Sequence, residues 1–256
     1  MANTVYENKV IEAKAKDLLT TKVNARSLMT IDNELAEKAG MTKTINTYTY
    51  TGTAEEVAAG QGNSVRGAVS YVGNDYTVKM VQQAFDYQDE DFYKDPSIVD
   101  NGVAGATQTM VNKMTADFVA ELAKATVSHK AEAFGYDAIV DGISKLNIED
   151  ESKLFVVIPN AWKADLRKDP DYVAARMGEV VYNGQVGAVA GLPVIATNAL
   201  SDAAYVMSAE AVKLFMKKDV EVEQDRDKDT RTNSIYLRSA YLVALVDATK
   251  ICKISK

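Results

Sequence analysis

Ala104, Thr107, Val111, Met114, Phe118 and Leu122 recur at three- and four-residue steps, while Asn112, Lys113, Asp117, Glu121 and Lys124 occupy other positions. No other pattern in the chain limits its fold as strongly. Asp100, Asn101 and Gly102 are good helix-start residues, so a helix is expected from Asp100 to about Val127. About 25 residues at 1.5 Å each span roughly 38 Å. A helix of that length organises the elements around it.

What precedes the helix is unusual. Residues 44–51 read TINTYTYT, a run of high β-propensity with little apolar difference between its two faces. Such a strand has no core side of its own. A polar, Gly-rich stretch follows, then a second β-like run from Ala68 to Val81, with a turn expected at Gly73-Asn74. Together they predict a long two-stranded excursion. An isolated hairpin is marginal in water, so its partners belong to neighbouring chains or to another part of the subunit. Before it, residues 1–43 are charged and helix-prone, with Val10, Lys14 and Leu18 on one face and a second stretch, IDNELAEKAG, that Gly40 would stop. This region reads as an arm that packs onto something else, or as a plain surface helix.

After Phe134 the elements shorten. LFVVI (154–158) predicts a buried strand, Pro159-Asn160 opens a short helix, and Asp169-Pro170 ends it. Asn183-Gly184 signals a hairpin, and LPVIATN and AYVM read as strands. Ser208 is expected to cap a helix over AEAVKLFM. The chain closes on strands: DVEVEQ, a charged turn DRDKDTRTN, and a run from Ser234 to Val246 in which Ile235, Leu237, Tyr241 and Val243 share a face with Ser239. The fold class is α+β.

Composition excludes several functions. The 256 residues are 47% hydrophobic, enough for one large core or two modest ones. The longest apolar runs fall far short of the ~20 residues that cross a bilayer, and MANTVYENKV lacks the apolar segment of a secretory signal, so no membrane partner is expected. Thirty-six acidic against 29 basic residues give a formal charge of -7, the wrong sign for affinity built on phosphate neutralisation.

Catalytic constellations are equally scarce. His129 is the only histidine and Cys252 the only cysteine, so a Cys-His nucleophile would need those two together; both read as ordinary positions. Gly60-Gln61-Gly62 lacks the Lys-Ser/Thr of a Walker loop, and GQVGAVAG has no helix after it. Asp225, Asp227 and Asp229 imitate the opening of a calcium loop but fail at Thr230 and Tyr236, where glycine and glutamate belong. No pair of carboxylates is singled out by its spacing, and DYQDEDFYKD and DRDKDTRTN read as solvated faces or intersubunit ion pairs. No catalytic, metal or cofactor residue is assigned.

Read in order, these elements resemble the major capsid proteins of tailed phages, the Hong Kong phage capsid fold that encapsulins share. The segments that carry the resemblance are LFVVIPNAWKADLRKD followed by VGAVAGLPVIATN, and the closing DVEVEQDRDKDTRTNSIYLRSAYLVALVDATKICKI. No single motif is specific; the weight lies in five weak matches in the correct order.

The resemblance implies an N-terminal arm over 1–43, an extended β loop (the E-loop) over 44–81, a peripheral domain over 82–133 and 219–256 built on the long spine helix, and an axial domain over 134–218. It implies a head shell of pentamers and hexamers around double-stranded DNA, touched weakly and nonspecifically, with a portal and a separate scaffolding protein as partners. Assembly would take place in the host bacterial cytoplasm. Candidate intersubunit contacts are Tyr48, Tyr50, Arg66 and Tyr71 in the E-loop, and Asp225, Arg226, Asp227, Lys228, Asp229 and Arg231 at the peripheral tip. In the phage that gives the fold its name, an E-loop lysine joins a neighbour's asparagine. Asn233 lies near the matching place here, but Lys79 is the only lysine between Thr44 and Val81 and sits at the loop's base, so no cross-link is expected. Two other readings stand beside this one: an encapsulin-like compartment enclosing a cargo enzyme, and a soluble enzyme that uses clustered carboxylates.

Overall fold

The computed structural model describes residues 25–36, 39–175 and 187–256, together with Ile11 and Ala15. Twelve strands in these residues form three sheets. The first has the order β1-β10-β11-β4, from β1 (Thr30–Asp32), β10 (Val212–Asp227), β11 (Thr232–Leu245) and β4 (Lys79–Gln88). The second has the order β5-β12-β9-β6-β8-β7, from β5 (Val127–Lys130), β12 (Ile251–Ser255), β9 (Ala203–Ser208), β6 (Leu154–Pro159), β8 (Leu192–Thr197) and β7 (Ala188–Val189). The third is the hairpin of β2 (Thr42–Thr51) and β3 (Ala68–Thr77).

After α1 (Asp89–Lys94), the long helix α2 runs from Ile98 to Leu122, 25 residues as expected, starting two residues before Asp100 and stopping before β5 takes up Val127. Val99, Val103, Met110 and Val111 meet Val220, Val222, Ile235 and Leu237 of the first sheet. Met114, Phe118 and Leu122 go further, into a cluster that holds Leu214, Tyr241 and Val243 of the first sheet and Phe155, Val157, Tyr205 and Ile251 of the second. The C-terminal half of the helix is therefore the joint between the two sheets. Its close seat at the other end needs Gly102: any Cβ there would collide with the Phe85 ring of β4. Ala104, placed on the apolar stripe by its spacing, is only half-buried, and Asp117, placed off it, is buried.

All six residues of β6 are buried because both sheet faces are covered. Phe155 and Val157 face the joint; Leu154, Val156 and Ile158 face a second core with Ile139 and Ile143 of α3 (Tyr136–Leu146) and Leu166 of α4 (Lys163–Lys168). A 3-10 turn over Asn160–Trp162 leads into α4, and Pro170 begins α5 (Pro170–Ala175).

Several expectations are corrected. Residues 209–216 are not a helix: Ala211 N donates to Ser208 O across one tight turn, and β10 begins at Val212. Leu214 and Met216 pack into one core and Phe215 into another, so two-sided burial hid the alternation that marks a strand. Gly73-Asn74 makes no turn; it lies inside β3 opposite Asn46 and Ile45, and the corner falls at Val78, whose N–H reaches Met41 O at 2.6 Å. Within IDNELAEKAG, residues 31–32 belong to β1, Leu35 is buried at the hairpin's base, and residues 37–38 lie outside the described residues. Val10, Lys14 and Leu18, like Asn183-Gly184, lie outside them too; the buried helical positions described nearby are Ile11 and Ala15. Residue 218 lies inside β10, and β12 pairs in the second sheet, between β5 and β9.

Candidate assembly surfaces

Among the described residues, the hairpin is held at its root. Ile45, Tyr76 and Val78 pack with Leu35 against Phe215, Ala240 and Leu242 of the first sheet, Tyr76 Oη donates to Leu245 O at 3.4 Å, and the Lys43 ammonium stands 5.1 Å above the Phe215 ring. The ladder runs in full register from Thr42↔Thr77 to Thr51↔Ala68, and beyond the root β3 is exposed on both faces from Ala68 to Asp75. The register puts positions 50, 69 and 71 on one face, where Tyr50, Val69 and Tyr71 are 61%, 51% and 71% exposed. Tyr48 pairs with Tyr71 in the ladder. Arg66 stands exposed in the closing loop. Positions 48, 50 and 71, three tyrosines singled out in the sequence, thus share one face of the strand pair, and at Tyr50 and Tyr71 that face is exposed.

At the root, β4 leaves the hairpin through Lys79, whose Nζ lies 3.2 Å from Asp117 Oδ1. Lys113 Nζ reaches the same oxygen at 3.0 Å, and Tyr241 Oη donates to Oδ2 at 3.0 Å. Burial pushes the Asp117 carboxyl upward, but the hydrogen bonds from Lys113, Lys79 and Tyr241 outweigh it and hold it below the usual carboxylate range. Burial, then the Asp117 charge, raises the Tyr241 phenol far above its ordinary value. Helix, edge strand and central strand meet at one carboxylate.

The charged tip between β10 and β11 is spoken for from within the chain. Arg226 Nη2 binds Asp89 Oδ2 at 2.5 Å, Asn233 Nδ2 donates to Asp89 Oδ1 at 2.7 Å, and Arg231 Nη1 lies 2.7 Å from Glu90 Oε1. Asp89 and Glu90 open α1, where carboxylates also favour the helix N-terminus. The Asn233 hydrogen bond and the Arg226 guanidinium hold the Asp89 carboxyl below its ordinary range. Asp227 accepts from Asp229 N at 2.9 Å and Thr230 Oγ1 at 2.9 Å, and Asp225 accepts from Arg226 N at 2.8 Å. Lys228 and Asp229 are exposed at the apex. The sequence reading missed α1, having taken DYQDEDFYKD for a solvated face; the signal for it was three acidic residues in the first turn and Lys94 in the last.

His129 pairs in the ladder with Ile254 and approaches Asp141 at 3.5 Å, while Cys252 pairs with Val127 and is buried, which raises its thiol. A cavity of about 610 Å³ is rimmed by Glu132, Asp137, Asp165, Asp169 and Asp171. Two of these carboxylates hold structure: Asp169 accepts from Tyr136 N at 2.5 Å at the start of α3, and Asp165 pairs with Lys256 at 3.0 Å. No cluster of three or more metal-ligating side chains occurs among the described residues, and no helix there is long and apolar enough to cross a membrane.

A long helix joining two sheets, a bare β excursion and a charged peripheral tip define the shell subunit of the Hong Kong phage type. Solved structures carry the same fold. The chain is similar to the capsid of the cyanophage P-SCSP1u (TM-score 0.70, 11% identity, 89% of this chain and 86% of that one). It is also similar to the virus-like particle from Pyrococcus furiosus (TM-score 0.70, 8% identity, 98% and 100%). A family model described as phage capsid protein matches residues 71–254, and the major capsid protein of Staphylococcus phage phiMR11 is 26% identical over 249 residues, 93% of this chain and 89% of the relative. The chain belongs to the phage capsid protein family, as a major capsid protein of the tailed-phage kind whose place is the capsid of the virion.

Proposed function

We propose that copies of this chain close, as pentamers and hexamers, into an icosahedral head shell around the double-stranded DNA of a tailed phage, with no catalytic role. The observation that carries this reading is the hairpin, two ten-residue strands whose outer halves expose Tyr50, Val69, Tyr71 and Val72 on both faces. A hairpin with so much apolar area in water gains little inside its own subunit, and covering it on a neighbour recovers the burial.

On this reading residues 44–81 are the E-loop, 1–43 the arm, 82–133 with 219–256 the peripheral domain and 134–218 the axial domain; sheet pairing favours counting Val212–Lys218 with the peripheral part and β12 with the axial part. A scaffolding protein and a portal take part in assembly in the host cytoplasm. The charge of -7 suits a wall that must not adsorb the genome, leaving DNA contacts weak and nonspecific. Deleting Gly52 to Gly67 tests the reading: the subunit should fold and melt as before but form no shells, and normal capsids from the deletion would refute it.

The fold, which the virus-like particle from Pyrococcus furiosus shares, is compatible with a second reading, a protein compartment whose contents are not a genome. Nuclease-protected double-stranded DNA in purified particles supports the phage head; a co-purifying cargo enzyme without DNA supports the compartment.

A further inference from the structure

Every residue from 52 to 67 except Glu55 is exposed, so the loop that closes the hairpin has no burial in its own subunit to fix its shape. It is shaped nonetheless, in three tiers. At the neck, a Cβ on Gly52 would come 2.7 Å from Gly67 Cα, and the Tyr50 ring covers both glycines so closely that a Cβ on Gly67 would collide with it. Halfway out, the Glu55 carboxylate spans the loop: it accepts from Ser64 N, from Ser64 Oγ at 2.5 Å and from Val65 N at 3.2 Å. At the apex, Gln61 N donates to Ala58 O at 3.0 Å across Gly60, whose φ of 87° is left-handed. The Ser64 side-chain hydrogen bond, then that of Val65 N–H, holds the Glu55 carboxyl below its ordinary range, so the clamp is ionised at neutral pH. Val57 and Val65 stand exposed beside it.

Ordering a loop costs conformational entropy, and order held in advance lowers the cost of binding. Building on the reading of the hairpin as an intersubunit arm, we propose that residues 52–67 are a preformed plug that docks on a second copy of this chain through Val57 and Val65, with Glu55 as the positioning residue that keeps the plug in shape beforehand. A second copy is the occupant because the solved structures that share this fold are capsids built from symmetry-related subunits. The plug's charges, Glu55, Glu56 and Arg66, sum to only -1, and Glu55 is engaged within the loop, so apolar burial is the main thing it offers.

The test compares full-length wild type, Glu55→Ala and Glu55→Gln by three readings: hydrogen exchange at the Ser64 and Val65 amides, melting of the unassembled subunit, and shell formation against concentration by light scattering and electron microscopy. Exchange should accelerate, melting should stay put, and the concentration needed for shells should rise about tenfold in Glu55→Ala, with Glu55→Gln between. Unchanged exchange, or shells at the wild-type concentration despite faster exchange, overturns the proposal. So does normal self-assembly combined with lost binding of a separate scaffolding protein, which would make that protein the occupant. If deleting Gly52 to Gly67 abolishes shells while Glu55→Ala does not, the clamp falls and the intersubunit reading stands; if the deletion is harmless, both fall.

Discussion

Lys79 Nζ stands 3.2 Å from Asp117 Oδ1, joining the first residue after the hairpin's corner to the long helix. Lys113 and Tyr241 complete the site, so the carboxylate on which three side chains converge fixes the helix, β4 and β11 relative to one another at the hairpin's root. Lys79 and Lys113 keep one side in water, which moderates the energy of each pair.

Asp117→Asn should therefore destabilise the subunit by about 2 kcal/mol, through lost charge-assisted hydrogen bonds at a buried site. The folded-state carboxyl titrates below its unfolded value, so its stabilisation is complete above the ordinary carboxylate range and is lost as pH falls through the lower, folded value. Melting of both proteins against pH should show a gap at pH 7 that closes in acid. A gap that is constant across that range contradicts the assignment.

Phe118→Asp or Met114→Asp would place an unpaired charge in the cluster that joins the two sheets, at a cost of at least about 4 kcal/mol. Neither variant should give soluble, folded subunit. Assembly-competent protein from either would show that the joint lies elsewhere.

Over 98–122 and 232–238, where one face is wet, the apolar period is legible in the sequence, and over 240–244, buried on both faces, an unbroken apolar run of β-prone residues marks the strand. The period is lost over 209–216, where cores on both sides of β10 remove the polar alternation, and the turn signal at Gly73 is overridden by pairing with β2 inside a long ladder. Of the assembly surfaces, the Tyr-rich strands were legible from their lack of a core side. The partners of Arg226 and Arg231 were not, because Asp89 and Glu90 lie more than 130 residues away along the chain and no local spacing reports such a pairing.

Those partners alter what charge reversal at the tip should do. Arg226→Glu with Arg231→Glu would set like charges against Asp89 and Glu90, so the free subunit should melt earlier as well as assemble less. Lys228→Glu, at the exposed apex, should leave melting unchanged and weaken assembly, since symmetry repeats the loss at every contact. Thermal scans and assembly yields over a salt series check both, and a Lys228→Glu variant that assembles normally removes the apex from the interface.

Covalent cross-linking through the hairpin's root is not expected. A lysine must lose its proton to attack an amide, and the Lys79 ammonium is paired with Asp117, while the Asn233 amide is already donated to Asp89. Boiled particles on a denaturing gel should give one band near the 27.8 kDa of the monomer. A ladder of multimers lost in Lys79→Ala would show otherwise.

The most direct measurement is electron microscopy of the full-length chain, expressed alone and with a candidate scaffolding protein. Closed shells are expected in which the hairpin of each subunit lies on a neighbour, with Tyr50, Val69 and Tyr71 covered. Monomers or small compact oligomers under both conditions, with that tyrosine face still in solvent, would contradict that expectation.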